Sequence, residues 1–227
     1  MTAEVVIFAK APVPGKVKTR LAATIGPELA AACHQAFIAD TVATVVESGL
    51  TGLIAHAGDV SHHGFDCARQ AGFEFEEQPS GDLGHRMFSL LESRLKSAGH
   101  VVFVGTDSPT LPAEHIKRAV QMLDEVDVVI GPSFDGGYYL IALKEAHQAP
   151  FDGISWSTEA VFSQTVDRCL AAGLTYAVLP FWYDVDHVED LRFLIHHLGH
   201  LAQAHPTSHQ HTRALINALD STKLLEL

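Results

Sequence analysis

A short apolar run followed at once by a carboxylate constrains the fold of this chain more than any other feature. Residues 101–104 are Val-Val-Phe-Val, and the next five are Gly-Thr-Asp-Ser-Pro. Four consecutive apolar residues, mostly β-branched, are typical of a parallel strand that is buried on both faces. The strand ends at Gly105, so Asp107 lies just beyond its carboxyl end, where ligands bind in open α/β sheets. Asp107 is therefore a candidate metal ligand, although an Asp that merely caps the turn would give the same pattern.

Strand patterns alternate with helix patterns along the whole chain, and this predicts an α/β fold of three layers. We predict strands over residues 4–9, 53–55, 73–75, 101–104, 126–130, 138–143 and 175–179. Helices are predicted over residues 26–49, 65–71, about 84–97, 114–123, about 158–171 and 188–201, with one more after Pro206. Ser157 or Thr158 is expected to cap the helix that runs to about residue 171. The expected sheet is mixed, mostly parallel and seven-stranded.

Length and composition limit the classes of protein that the chain can belong to. Its 227 residues are 47% hydrophobic and 19% charged, which predicts one globular domain over 1–227, with 206–227 as a C-terminal helical extension. A net charge of −12 with histidines neutral argues against nucleic acid or an anionic membrane as a partner. The histidines clustered at 196–211 match no metal-ligand spacing and are predicted to lie on a solvated helix face.

No targeting or redox feature stands out in the sequence. The first residues lack the basic region of a signal peptide, and no apolar run approaches the roughly 20 residues of a membrane span. Cys33, Cys67 and Cys169 are odd in number and widely spaced, which argues against disulfides and structural zinc. We expect a cytoplasmic protein that is a monomer or a homodimer.

The loop after the first strand, which two prolines and a glycine predict to be irregular from Lys10 to Leu21, concentrates positive charge in an otherwise acidic chain. Lys10, Lys16, Lys18 and Arg20 lie there, and Gly15 would let the backbone approach a ligand. Lysine supplies point charge and arginine a planar fork for phosphate oxygens, so the loop suits a polyphosphate. It matches neither a Walker A loop nor a GxGxxG fingerprint, and a simple solvated basic loop is the alternative.

A second carboxylate is positioned like Asp107. Asp186 also follows a strand and precedes a helix, so both groups are expected at one crevice. One or two carboxylates with substrate phosphates and water form the coordination that Mg²⁺ prefers, and Mn²⁺ can replace it. Asp184, two residues earlier on an extended segment, could be the ligand instead, and the sequence does not separate the two.

Two glycine-containing segments are further candidates. In Asp135-Gly136-Gly137-Tyr138 the glycines permit close approach of a ligand, and Asp135 is a candidate base, unless the segment is only a tight turn. In the segment 81–87, Gly-Asp-Leu-Gly-His-Arg-Met, the start of a helix could hold a nucleobase or ribose, or could simply be capped.

Together the motifs resemble one family. The residues concerned are Phe-Ala-Lys-Ala-Pro at 8–12, Lys-Thr-Arg-Leu at 18–21, Gly-Asp-Leu-Gly at 81–84, Gly-Thr-Asp-Ser-Pro at 105–109, Asp-Gly-Gly-Tyr at 135–138 and Trp-Ser-Thr at 156–158. They are similar, in the same order over roughly residues 4–195, to the DUF2064 group, glycosyltransferases associated with arsenosugar-type clusters. The resemblance implies the GT-A fold of nucleotide-diphospho-sugar transferases.

The resemblance also implies a set of site residues. Nucleotide-binding positions would be Lys10, Gly15, Lys16, Gly81, Asp82, Gly84, Arg86 and Thr106. Substrate-binding positions would be Gly136, Gly137, Tyr138, Trp156, Ser157 and Thr158.

The sequence departs from related proteins near its last acidic motif. Related nucleotidyltransferases often have Asp-Val-Asp-Thr-Pro-Glu-Asp-Leu, whereas residues 184–191 are Asp-Val-Asp-His-Val-Glu-Asp-Leu. The change removes a hydroxyl cap and a proline from the start of a helix.

Three hypotheses about function follow. The first is a glycosyltransferase that transfers a sugar from a nucleotide-diphosphate sugar to a small-molecule acceptor. Asp107 and Asp186 would hold Mg²⁺ or Mn²⁺, and Lys18 and Arg20 would assist the leaving diphosphate. Asp135 would activate the acceptor. The second is a guanylyl- or cytidylyl-type nucleotidyltransferase that joins an NTP to a small phosphorylated or acidic acceptor. The basic loop favours this second hypothesis, because a triphosphate needs several cations and because the loop resembles that of guanylyltransferases making lactyl-phosphate diesters. The third is a nucleotide-binding module without turnover.

Overall fold

A seven-stranded sheet lies between two layers of helices in this computed structural model, which describes residues 2–205 and 207–218. The strands are β1 Ala3–Lys10, β2 Thr51–Ala57, β3 Glu74–Glu77, β4 His100–Val104, β5 Val128–Pro132, β6 Tyr138–Leu143 and β7 Tyr176–Val178. The helices are α1 Thr19–Ile25, α2 Pro27–Ser48, α3 Asp66–Gln70, α4 Leu83–Arg94, α5 Ala113–Met122, α6 Val161–Ala171, α7 Val188–Ala204 and α8 Gln210–Ala218. The predicted α/β class and mixed, mostly parallel sheet are confirmed.

The strand order is β3-β2-β1-β4-β6-β5-β7, and β6 runs antiparallel to both of its neighbours. Alternation along the central strands explains the layers, because successive side chains point to opposite faces of a sheet. In β1, Val5 and Ile7 pack with α2 and α5 on one face, and Val6 packs with α4 on the other. All three side chains are fully buried.

Helix α2 is the most buried of the long helices, and this explains its composition. It begins after Gly26 with Pro27 at its first position and ends at Gly49, as predicted. It is long and apolar enough to cross a membrane, with a mean hydropathy of 1.4, so the expectation that no segment reaches this limit was wrong. However, 72% of that apolar window is buried inside the fold, against the sheet on one side and α1, α7 and α8 on the other.

The C-terminal segment is tied to α2 by a buried carboxylate. Asp40 is 1% exposed and accepts hydrogen bonds from the backbone N–H groups of His211 at 3.1 Å and Thr212 at 2.8 Å. These groups belong to the first turn of α8, where backbone donors lack partners within the helix. The predicted helix after Pro206 therefore exists over Gln210–Ala218, whereas 206 and 219–227 lie outside the described residues.

Two local expectations were wrong. The loop after β1 was expected to stay irregular through Leu21, but α1 begins at Thr19. Ser157 or Thr158 was expected to cap the helix that follows, but α6 begins only at Val161. Residues 155–160 instead form a turn in which Thr158 Oγ1 donates to the carbonyl of Ser155 at 2.7 Å.

Two helical glycines offer a matched test of packing. A Cβ at Gly84 in α4 would lie 2.3 Å from the carbonyl oxygen of Phe151 and 2.8 Å from the ring of Trp156, whereas a Cβ at Gly199 in α7 would meet nothing within 4 Å. We expect Gly84→Ala to lower the free energy of unfolding by about 1–3 kcal/mol, because the helix must move from its neighbours. Gly199→Ala should raise it by about 0.5–1 kcal/mol through helix propensity. Urea unfolding of both variants measures this, and equal effects would contradict the packing argument.

Candidate active site

A cleft of about 860 Å³ opens at the edge of the sheet where β1 and β4 end and β6 begins. Because β6 is reversed, its first residue lies at the same edge as the last residues of β1 and β4. This edge also receives the loop that leads into α1 and the segment that precedes α7. The cleft therefore lies where open α/β sheets bind ligands.

The centre of the cleft is a lysine between two carboxylates. The Nζ atom of Lys18 lies 2.6 Å from Oδ1 of Asp107 and 2.9 Å from Oδ1 of Asp186. It also donates to the backbone carbonyl of Val185 at 2.7 Å. The Lys18 side chain is only 4% exposed, whereas those of Asp107 and Asp186 are 47% and 32% exposed. Both predicted metal ligands thus meet at one point, and a predicted catalytic lysine occupies it.

Electrostatic interactions fix the charge states of Lys18 and Asp107. Burial alone would lower the pKa of Lys18, but Asp107 and Asp186 outweigh burial and raise it. Burial would likewise raise the pKa of Asp107, but Lys18 outweighs burial and lowers it. The lysine is a cation and Asp107 an anion at neutral pH.

Backbone geometry delivers Lys18 to this position. Lys18 has φ 45° and ψ 46°, a left-handed conformation that is rare for a residue with a side chain, and it directly precedes α1. Its ammonium lies 5.6 Å from the centre of the Phe37 ring on α2, within cation–π range. A loop that merely carried solvated charge would not bury one lysine in this way.

The segment that carries Asp184 and Asp186 is fastened to the loop after β4. The N–H of Val185 donates to the carbonyl of Asp107 at 2.8 Å, and the Ser108 hydroxyl donates to Asp184. The two candidate acids thus differ in their surroundings: Asp186 also lies 3.3 Å from Arg20 Nη1, whereas burial, with Asp107 and Asp135 nearby, raises the pKa of Asp184 to about 7.

The missing Thr-Pro pair does not leave α7 uncapped. His187 is the N-cap residue, and its side chain accepts a hydrogen bond from the backbone of Asp190. The carboxylate of Asp190 accepts in turn from the N–H groups of His187 at 2.8 Å and Asp186 at 3.0 Å. This reciprocal capping holds the backbone of Asp186 in place.

A turn between β5 and β6 presents Asp135 to the cleft. Its Oδ1 accepts hydrogen bonds from the Ser133 hydroxyl and from the N–H of Gly137, at 2.9 Å for the latter. The Ser133 N–H donates to the carbonyl of Gly137 at 3.1 Å and closes the turn. The carboxylate is therefore fixed in orientation while remaining open to the cleft.

The wall beyond this turn combines aromatic rings and hydroxyls. Tyr138 and Trp156 pack edge to face with ring centres 6.4 Å apart, and both line the cleft with Ser157 and Thr158. Ser157 has φ 64°, so the turn that carries it departs from ordinary backbone geometry. Glu159 lines the same wall.

At the opposite end, Arg86 and Gln78 brace each other. Arg86 Nη1 donates to Gln78 Oε1 at 3.3 Å, its Nε donates to the carbonyl of Gly81 at 2.9 Å, and Gln78 donates to the carbonyl of Ala55 at 2.8 Å. Lys10, Lys16 and Thr106 also line the cleft.

Five predicted residues do not line the cleft. Gly15 and Gly81 have positive φ values of 74° and 110° in turns, and Asp82 caps α4 by accepting from the N–H of His85 at 2.8 Å. Gly84 makes room for Phe151 and Trp156, and a Cβ at Gly136 would lie 2.2 Å from the carbonyl oxygen of Glu159. These five residues shape the segments that carry the lining residues. The predicted residues that line the cleft are Lys10, Lys16, Lys18, Arg20, Arg86, Thr106, Asp107, Asp135, Gly137, Tyr138, Trp156, Ser157, Thr158, Asp184 and Asp186.

The residues at the centre fit a divalent metal that is completed by a substrate. Within residues 2–205 and 207–218, no three His, Cys, Asp or Glu side chains are grouped to hold a metal by themselves. Asp107 and Asp186 nevertheless direct one oxygen each at the same point. Mg²⁺ is commonly held by one or two carboxylates, with substrate phosphates and water as its other ligands.

His34 lines the cleft beside this centre, and sequence analysis missed it. It is 5% exposed on α2, its Nε2 lies 3.2 Å from the carbonyl of Lys10, and burial lowers its pKa to about 4. A carbonyl only accepts, so Nε2 carries the proton of a neutral ring. A histidine within an apolar helical pattern gives no sequence signal that separates it from a core residue.

The neutral state of His34 has a consequence for stability. Between pH 6.5 and about 4 the unfolded chain binds a proton at His34 that the folded chain does not, so the folded state loses stability as the pH falls. We expect the free energy of unfolding of the wild type to fall across this range by up to about 3 kcal/mol more than that of His34→Gln. Chemical unfolding at pH 7 and pH 4.5 measures the difference, and a difference that does not change with pH would contradict a neutral buried imidazole.

Comparison with known proteins identifies the family of this chain. A family model described as uncharacterized proteins conserved in bacteria, DUF2064, matches residues 24–158. The chain belongs to the DUF2064 family. No protein of curated function matches the sequence.

Solved structures similar to this DUF2064 chain include sugar-nucleotide and nucleotidyl transferases. A candidate nucleotide-diphospho-sugar transferase from Desulfovibrio desulfuricans G20 is 32% identical, with TM-score 0.84 over 100% of this chain and 98% of that one. CMP:2-keto-3-deoxy-manno-octonic acid synthetase complexed with CTP gives TM-score 0.57 at 11% identity, over 88% and 99% of the chains. Inositol-1-phosphate CTP transferase from T. maritima gives 0.56 at 11%, over 95% and 96%. The last two share the fold only. The predicted GT-A fold is thus confirmed, and so, at this coarse level, is a transferase.

Proposed function

We propose that this DUF2064 protein is a metal-dependent glycosyltransferase, which moves a sugar from a nucleotide-diphosphate donor to a hydroxyl of a small acceptor. One observation carries the proposal. A single cleft at the edge of the sheet holds a carboxylate pair, the basic side chains of the loop after β1, and a wall of aromatic and hydroxyl side chains next to an oriented aspartate. These parts suit a diphosphate, a metal, a sugar ring and an acceptor proton respectively.

The donor would extend across the centre of the cleft. Lys10, Lys16 and Arg20 are exposed and line the same cleft as the carboxylate pair, so they are available to phosphate oxygens. The nucleoside would lie toward Gln78 and Arg86, whose mutual hydrogen bonding fixes their positions. Asp107 and Asp186 would hold Mg²⁺ or Mn²⁺. The chemistry that the bound metal supplies is neutralisation of negative charge on the departing diphosphate.

The acceptor side would be the opposite wall. Tyr138 and Trp156 offer ring surfaces to the apolar face of a sugar, and Ser157 and Thr158 offer hydroxyls to its polar edge. Asp135 would accept the proton of the attacking hydroxyl, because its carboxylate is held by Ser133 and Gly137 while facing the cleft.

Nucleotidyl transfer to a small acidic acceptor is the second candidate, and the basic loop favours it. Lys10, Lys16, Lys18 and Arg20 all line one cleft, and a triphosphate offers more oxygens than a diphosphate to such a set of cations. In that reaction the leaving group would be pyrophosphate, and the same cations would surround it.

Thermal unfolding with Mg²⁺ separates the two candidates, because a ligand that binds only the folded state raises the melting temperature. We expect UDP- or GDP-sugars to raise it by several degrees and NTPs to raise it less. Stabilisation by NTPs alone would reject glycosyl transfer in favour of nucleotidyl transfer.

Asp135→Asn tests the proposed base. Asparagine keeps the oxygen that accepts from Ser133 and Gly137 but loses proton affinity, so we expect kcat to fall by about 10²-fold or more, with unchanged stabilisation by donor and metal. Release of nucleoside diphosphate measures the rate. Asp124→Asn is the matched control, because Asp124 is exposed after α5 and does not line the cleft. Equal rates in the two variants would remove Asp135 from the mechanism.

A further inference from the structure

We propose that Lys18 is a resident cation that competes with the divalent metal for Asp107 and Asp186, and that an incoming diphosphate relieves this competition by accepting the Lys18 ammonium. The inference rests on the metal-dependent transfer proposed above. It extends that proposal by assigning to one side chain the coupling between metal binding and donor binding.

Geometry makes the ammonium and a bridging metal mutually exclusive. Nζ lies 2.6 and 2.9 Å from one oxygen of each carboxylate. The ammonium therefore occupies the point to which both oxygens are directed, and a metal held by both carboxylates there would have to take its place. Binding of the metal to both oxygens therefore requires Lys18 to move.

The contacts of Lys18 also oppose binding of a metal when no diphosphate is present. With Lys18 in place, two carboxylates already share the positive charge of a lysine whose side chain is only 4% exposed, although both carboxylates remain open to the cleft. A metal that arrives alone must displace this cation and leave a charged amine without its three oxygen partners. Metal alone should therefore bind weakly.

A diphosphate changes this balance. Lys18 lines the cleft together with Lys10, Lys16 and Arg20, so phosphate oxygens that enter among these cations lie close to the lysine side chain. A phosphate oxygen replaces the carboxylates as the charge-assisted acceptor of the ammonium, and the carboxylates are then free for the metal. Metal and diphosphate consequently raise each other's affinity by the same factor.

The direct test is a titration with Mn²⁺ alone, in which free Mn²⁺ is followed by electron paramagnetic resonance. We expect Lys18→Met to tighten Mn²⁺ binding at least tenfold over the wild type, because the competitor is removed. Lys16→Met is the matched control: it removes the same charge from the same loop, but Lys16 is exposed and makes no described contact with either carboxylate. We expect it to change Mn²⁺ affinity less than threefold.

Melting temperatures of the same samples show whether each variant is folded. Removal of Lys18 leaves two carboxylates facing each other, so we expect Lys18→Met to melt at a lower temperature than the wild type in EDTA and to regain stability with Mn²⁺. Lys18→Gln, which keeps a hydrogen-bond donor without charge, provides the Mn²⁺ affinity if Lys18→Met is not folded. Addition of Asp107→Asn to either variant should abolish the gain in affinity.

Coupling is the second readout. In the wild type, UDP should tighten Mn²⁺ binding by a larger factor, after correction for the UDP–Mn²⁺ complex, than in Lys18→Met. Mn²⁺ binding by the Lys18 variants that is equal to or weaker than that of the wild type would overturn the inference. It would not contradict the proposed function, which the stabilisation by sugar nucleotides tests separately. Tighter Mn²⁺ binding by Lys18→Met, together with a wild type that no sugar nucleotide stabilises, would instead uphold the competition between Lys18 and the metal and reject the proposed function.

Discussion

The contact of the Lys18 ammonium with two carboxylates is the interaction on which the rest of the cleft depends. Asp107 leaves the central strand β4, Asp186 precedes α7, and Lys18 precedes α1, so one buried cation joins three distant segments of the chain. Coulomb attraction weakens where water surrounds the charges, and here the lysine is shielded from water beside Phe37 of α2, whereas both carboxylates remain open to the cleft. The sheet therefore brings the charges to one edge, and the helix layer makes their interaction effective.

Support for this centre comes from backbone contacts as much as from charge. The hydrogen bond between Val185 and Asp107 aligns the loop after β4 with the segment before α7. The reciprocal cap of His187 and Asp190 then fixes the start of that helix. Preorganisation of this kind suits a transferase, in which electrostatic groups must face developing charge before the reaction begins.

Sequence patterns were sufficient for the fold and for much of the cleft, and the reasons differ between the two. Runs such as 101–104 identify central strands because side chains buried on both faces must all be apolar. Carboxylates after strands identify the ligand edge because strand ends converge there, which placed Asp107 and Asp186 correctly at one site. Glycines were harder to interpret, since Gly84 and Gly136 permit packing between segments and do not line the cleft. No sequence pattern indicated that Lys18 would be buried or that His34 would reach the cleft, because both depend on how α2 packs.

The reversed direction of β6 divides the cleft between two parts of the sheet. The lysine-bearing loop and Asp107 follow parallel strands, whereas Asp135 lies at the tip of the antiparallel β5–β6 hairpin. That tip also carries Phe134, which is 75% exposed and stacks on Phe181 at 5.7 Å. In the proposed reaction, a substitution at the hairpin tip would therefore alter the acceptor side of the cleft while leaving in place the loop and the Asp107 carboxylate that are proposed to hold the donor.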